Sequence, residues 1–240
     1  MSNTYCYEVD NFIRSDNTVL LANDSTNPVP LEEVKSFLKI YNDDQDVYLE
    51  SLQKLAIQTI QDFTGIDITI KTYKSFLDGF PCNNSYKTIT YCSSYNKQAY
   101  GLQIPMTPYV NNTLIVKYID IEGIEQTADL NDWNIKRYDV RSKKYSYAIP
   151  KVDEATGLPK YPATLQQPDA VTLEYQAGIT SDGANLPIDI KQAILCQMNW
   201  LREKYGDECG DCVDGSISFM VQPLMRAFII NPSYSYSRVG

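Results

Sequence analysis

The chain has 240 residues, 43% hydrophobic and 21% charged, with a formal net charge of −9 and no histidine. That length allows one large core or two small ones, and the acidic balance argues against a broad grip on nucleic acid, which depends on Lys and Arg neutralising phosphates. The missing histidine removes Ser-His and Cys-His catalysis and the commonest metal ligand.

Residues 1–28 are rich in Asn, Asp, Ser and Thr and contain no apolar h-region, so no secretion signal is expected. They read as an N-terminal arm with a short strand at Thr18–Ala22. No run of 18 apolar residues occurs, and no membrane-spanning helix is predicted. The most regular stretch follows: "PLEEVKSFLKIYNDDQDVYLESLQKLAIQTIQDFTG", Pro30 to Gly65. It reads as a short helix, an acidic turn and a longer helix. Pro30 suits the first helical position, Glu32 and Glu33 suit the positive helix end, and Leu31, Val34, Phe37 and Leu38 form an apolar stripe. Asp43 or Asp44 is placed to cap the second helix. In that helix Tyr48, Leu52, Leu55, Ala56, Thr59, Ile60 and Phe63 recur at helical spacing, and Gly65 supplies a left-handed stop. The short connection predicts two helices side by side, roughly antiparallel.

From Ile66 the period changes to two. "IDITIKTYKSFLDGFP" places Ile66, Ile68, Ile70 and Thr72 on one strand face. "KTITYC", "GLQIPMTP", "TLIVKYIDIEG" and "DWNIKRYDV" read as further strands, with Gly123 at a hairpin turn. "YAIPKVDEATGLPKYPATLQQPD" reads as loop, and "AVTLEYQAGI" as the last strand. Helix returns in "NLPIDIKQAILCQMNWLREKYGDECG", with Ile190, Ala193, Ile194, Gln197, Met198 and Leu201 on its apolar stripe. Pro223 to Ile230 reads as one more helical segment. The fold class expected is therefore α+β. A helical bundle (29–65 and 186–230, with core residues Leu31, Val34, Leu38, Leu52, Leu55, Ile60, Phe63, Ile194 and Leu201) carries an inserted antiparallel β region over 66–180. Extended arms lie at 1–28 and 231–240.

No residue set makes a convincing active site, and neither a phosphate loop nor a nucleophile elbow is present. Cys209 and Cys212 form a CxxC which, with Cys82 and Cys92, offers four thiols to zinc, but the second spacing is too wide for paired CxxC motifs. As a redox pair it is poorly placed, because its acidic neighbours disfavour the thiolate. Asp207, Glu208, Asp211 and Asp214 do not follow the spacing of a calcium loop and read as a solvated acidic turn. The expectation is reduced, spare thiols, with no cofactor, metal or catalytic residue. The tail "NPSYSYSRVG" is different: extended, it puts Tyr234 and Tyr236 on one side, next to the apolar Phe228, Ile229 and Ile230. It reads either as a frayed end or as an arm ordered on a partner.

The order of these parts resembles the head-tail connector (adaptor) proteins of tailed bacteriophages. Similarity lies in the opening hairpin with its "DDQD" turn and "TG" end, in "FLDGFP", and in "LQIPMTPYVNNTLIVKYIDIEG". It continues through "YPATLQQPDAVTLEYQAGI", "LPIDIKQAILCQMNWLREKYG" and "VQPLMRAF", in order over about residues 28–230. The terminal arms and the Cys82–Gly101 stretch depart from the family pattern. The resemblance implies a structural virion protein rather than an enzyme, assembled in the host cytoplasm and placed at the head–tail junction. There it would form a ring, usually of twelve copies, docked on the portal protein, carrying a stopper or tail protein and extending a channel through which DNA passes without specific binding. Phe228, Ile229, Ile230, Tyr234, Tyr236 and Arg238 would be the portal-binding residues. Another neck, tail-completion or baseplate protein is the alternative within the same class, and a metal-dependent enzyme the alternative outside it.

Overall fold

The computed structural model of the chain describes residues 18–23, 27–80, 101–137, 145–152, 154, 159–165, 167–206 and 217–229. In chain order these form β1 (Thr18–Asn23), α1 (Leu31–Leu38), α2 (Asp46–Thr64), β2 (Lys71–Leu77), β3 (Leu102–Ile104), β4 (Ile115–Ile119) and β5 (Glu125–Thr127). A 3-10 turn at Leu130–Asp132 leads to β6 (Trp133–Lys136), β7 (Ser146–Pro150), β8 (Val171–Ala177), α3 (Ile188–Gly206) and α4 (Val221–Met225). The architecture is α+β, with antiparallel sheets.

The helices share one core. Val34 and Leu38 of α1, Leu49, Leu52, Ala56, Ile57 and Ile60 of α2, and Ile190, Ala193, Ile194, Met198 and Leu201 of α3 are buried together with Val221, Met225 and Phe228. Buried polar side chains staple the helices to their neighbours. Gln53 Nε2 donates to the Val29 carbonyl at 2.9 Å, and Gln197 Oε1 accepts from the Ser218 amide at 2.8 Å. On the rim, Arg202 donates to the Leu38 carbonyl and Lys191 pairs with Glu33 at 3.0 Å.

The second core lies between two sheets, one ordered β1-β2-β8-β4-β5 and one ordered β3-β7-β6. The register Tyr73↔Tyr175, Ser75↔Leu173 and Leu77↔Val171 puts every second residue of β2 and β8 on the core face. Leu102, Ile104 and Ala148 of the small sheet close the other side, and Phe80, Tyr118, Trp133 and Tyr161 make an aromatic cluster beside them. The outer face of the large sheet is polar, where Glu174 lies 3.5 Å from Lys74 and 3.4 Å from Lys117.

Several expectations shift. α1 begins at Leu31, with Pro30 capping it from outside. Phe37 is 41% exposed and Leu55 37%, whereas Leu49, outside the expected stripe, is fully buried. Tyr48 is also exposed, and Leu31 and Phe63 are only partly buried. The core face of α2 is thus rotated by about one position, because the helix packs on α3 as well as α1. Neither Asp43 nor Asp44 caps α2; Gln45 precedes it without a side-chain cap. Ile66 and Ile68 belong to the helical core, and the strand starts only at Lys71, with Tyr73, Ser75 and Leu77 inward. Gly65, at φ 71°, turns the chain back under α2, and the Ile68 amide donates to Gln61 Oε1 at 2.9 Å. "YAIP", read as loop, is part of β7, and the last helix covers only Val221–Met225. "KTITYC", the acidic turn at 207–214 and Cys6, Cys82, Cys92, Cys209 and Cys212 lie outside the described residues.

Candidate interaction surfaces

Three local devices make the described parts rigid. The first clamps the helical hairpin. Lys35, almost buried on α1, pairs with Asp43 of the turn and, at 3.0 Å, with Asp46 of the first α2 turn. A buried ammonium needs counter-charge more than a helix end needs a cap, which explains why Asp43 faces Lys35 instead of α2. Hydrogen bonding to Asp43, then to Asp46, raises the Lys35 pKa to about 12, and the same pairing holds the Asp43 carboxyl below its usual range.

The second device joins the two cores. Asp67 follows α2 and is buried; it accepts from Lys71 Nζ at 2.8 Å and from the Tyr73 hydroxyl at 2.9 Å, while its amide donates to the Thr107 carbonyl. Burial pushes the Asp67 pKa up, opposed chiefly by Lys71. Burial likewise raises Tyr73 and Tyr175. The Tyr175 hydroxyl lies 3.2 Å from Ser75 Oγ, which reaches Thr18 on β1 at 2.9 Å. The two groups meet through the Tyr73 and Tyr175 rings, whose centroids lie 6.0 Å apart.

The third device is the β4–β5 turn. Asp120 accepts from the amides of Glu122 and Ile124, both at 2.9 Å, and from Gln126 Nε2. These bonds, the Ile124 amide first, lower its pKa. Gly123, at φ 83°, takes the left-handed position this tight turn requires.

Exposed apolar side chains gather at four places. They are Val19, Leu20 and Leu21 on β1; Tyr41 and Val47 at the helical hairpin; Ile121 and Ile124 at the β4–β5 turn; and Phe219 and Met220 ahead of α4. A cleft of about 290 Å³ lies near Trp133, Asp132 and Lys151, whose two charges already pair with each other. Among the described residues no cluster of three His, Cys, Asp or Glu side chains is arranged to hold a metal, and no helix is long and apolar enough to cross a membrane.

Of the residues expected to bind a portal, Phe228 is fully buried in the helical core and so anchors α4 instead of presenting a surface. Ile229 is partly buried, and Ile230, Tyr234, Tyr236 and Arg238 lie outside the described residues. Of the expected bundle residues, Val34, Leu38, Leu52, Ile60, Ile194 and Leu201 are buried. The β1 edge was missed as a surface because a short apolar strand reads the same in sequence whether covered or bare.

Residues 29–96 match the family described as phage gp6-like head-tail connector protein. No curated protein matches significantly in sequence. Among solved structures, the fold is similar to a chain in the neck of an empty GTA particle computed with C6 symmetry, at TM-score 0.57 and 15% identity, covering 88% of this chain and 94% of that one. It is also similar to a chain in the virion of a native gene transfer agent particle, at TM-score 0.58 and 16% identity, with the same coverage. A third match is in the neck of the native GTA particle computed with C12 symmetry, at TM-score 0.56, 15% identity and coverage of 88% and 93%. The family match therefore covers the helical hairpin and the start of the β region, and the likeness in fold extends along most of the chain.

Proposed function

We propose that this chain is a structural neck protein that assembles into a ring at the head–tail junction, docks on the portal and extends the DNA channel toward the tail. The observation carrying this reading is the pairing of the connector-family match at residues 29–96 with a neck-protein fold spanning 88% of the chain. A ring of twelve copies is supported by the C12 symmetry of the similar neck. A closed ring needs a heterologous contact between two different surfaces of each copy, and the chain offers separate bare apolar sites for this. The helices form the rigid bundle of the ring, and the β region carries contacts to neighbours and to the tail-side protein. A net charge of −9 lets DNA pass without adhering. The segment beyond Phe228, with Ile229, Ile230, Tyr234, Tyr236 and Arg238, reaches the portal, and Phe228 fixes its root in the core.

The test is to purify the chain and its particle's portal and examine the mixture by electron microscopy. Rings stacked coaxially on one end of the portal are expected, and removing residues 231–240 should leave the fold intact while reducing stacking. A chain that stays apart from the portal, and is missing from the necks of assembled particles, overturns the proposal.

A further inference from the structure

β1 and β5 are the two outer strands of the larger sheet. Each hydrogen-bonds to one neighbour among the described residues, so each leaves a row of backbone groups open along its outer side. Apart from a register shift between Leu20 and Ala22, β1 lacks the usual edge protection. Its sequence TVLLAN holds no charge and no proline. Val19 is 49%, Leu20 48% and Leu21 53% exposed. Leu20 pairs with the buried Tyr73 and so continues the core face, while Val19 pairs with Lys74 on the outer face. Both faces of β1 are thus apolar and half bare, a pattern suited to a strand inside a sheet rather than at its rim. Among the described residues, the core is unfinished at this edge.

The sheet itself indicates what finishes it. All four pairings from β1 to β5 are antiparallel, so after four reversals β1 and β5 run in the same direction. Two copies placed side by side by a small rotation keep that shared direction. We propose that β1 of one copy pairs, in parallel, with β5 of the next, so that the large sheet continues from copy to copy around the ring. This rests on the ring reading above. β5 is held out by the Asp120-locked turn. Pairing β5 with another β5 stops at a two-fold dimer and leaves β1 bare. Pairing β1 with β1 stops at a two-fold dimer and leaves β5 bare.

Cross-linking in assembled particles tests this. Val19 and Thr127 are both exposed and both on the outer face, through Lys74 and Lys117. Particles carrying V19C and T127C together, treated with a short thiol-to-thiol cross-linker, should give a ladder of covalent multimers. Either single variant should match the wild-type background from the six native cysteines. In parallel, Leu20→Lys, a charge at an exposed edge position, should keep wild-type circular dichroism and melting but lose incorporation into necks at least tenfold. The pairing is overturned if wild-type rings are present but the double variant gives no ladder, if V19C alone gives dimers, or if Leu20→Lys incorporates normally. Necks with no wild-type ring overturn the ring reading itself, and the pairing with it.

Discussion

The register of α2 is the structural statement most exposed to a simple test. Leu49 is fully buried against α3, and Leu55, six residues on, is 37% exposed. Leu49→Ala removes three carbons from the core, worth about 2.4 kcal/mol at ~0.8 kcal/mol each. A residual cavity of a few tens of Å³, at ~24 cal/mol per Å³, adds about 1 kcal/mol. The expected loss is ~3–4 kcal/mol, or a melting temperature lower by ~6–16 °C for a chain of this size. Leu55→Ala leaves no cavity, since solvent fills the space, and replaces Leu with the better helix former, so its cost stays below ~1 kcal/mol. Urea unfolding of both variants, followed by circular dichroism at low protein concentration, measures the difference. Equal losses at the two sites, or a larger loss at Leu55, would refute this packing and restore the stripe expected from spacing alone.

Other outcomes follow from the local devices. Lys35 is held charged up to about 12 against an ordinary 10.5, so the clamp's contribution is complete below 10.5 and disappears as pH rises through about 12. Asp43 is lowered, so its contribution is complete above 3.8 and is lost as pH falls through its folded value. Lys35→Met should therefore flatten both limbs of a stability–pH profile; an unchanged acid limb would show that other carboxylates dominate it. Gly183→Ala should destabilise by at least ~1 kcal/mol, because φ is +83° and a Cβ would sit 1.9 Å from the Pro28 carbonyl oxygen; an unshifted urea midpoint would show the loop can move aside. Asp120→Ala should loosen the β4–β5 turn and speed amide exchange at Glu122 and Ile124, whose protons it now accepts; unchanged exchange there would contradict the turn lock.

Helix existence was legible because its signals are local. Gly65 ends α2 in the left-handed conformation its position predicts, and all six expected apolar-stripe residues of α3 are buried. Spacing alone sets the α2 stripe one position off because its two flanking faces both carry apolar residues, and only the placement of α3 decides between Leu49 and Leu55. Ile66 and Ile68 alternate like a strand but serve the helical core, since alternation does not say which core a residue joins. Phe228 reads as an exposed docking residue because its segment is short and terminal, and only the tertiary fold reveals the pocket that receives it. The junction at Asp67 had no motif at all: Lys71 and Tyr73 reach it from the next strand, a relation set by where α2 ends.

That junction bears on how the proposed ring subunit would work. A ring element must hold contacts made by its helices in fixed relation to contacts made by its sheet, although each part has its own core. Apolar packing alone would tolerate sliding between the two cores. Here Asp67 makes a charge-assisted bond to Lys71 and a directional bond to Tyr73, Ile68 bonds to Gln61 of α2, and Ile70 and Thr180 bond across the two chain crossings. Breaking any one would strand a buried polar group, at a cost of ~1–3 kcal/mol. The geometry between hairpin and sheet is therefore set by a small number of mutually dependent bonds. A separate set of bonds, Tyr175 to Ser75 to Thr18, ties β8, β2 and β1 to one another. In the ring proposed above, contacts made by the sheet would in this way keep a fixed relation to contacts made by the helices.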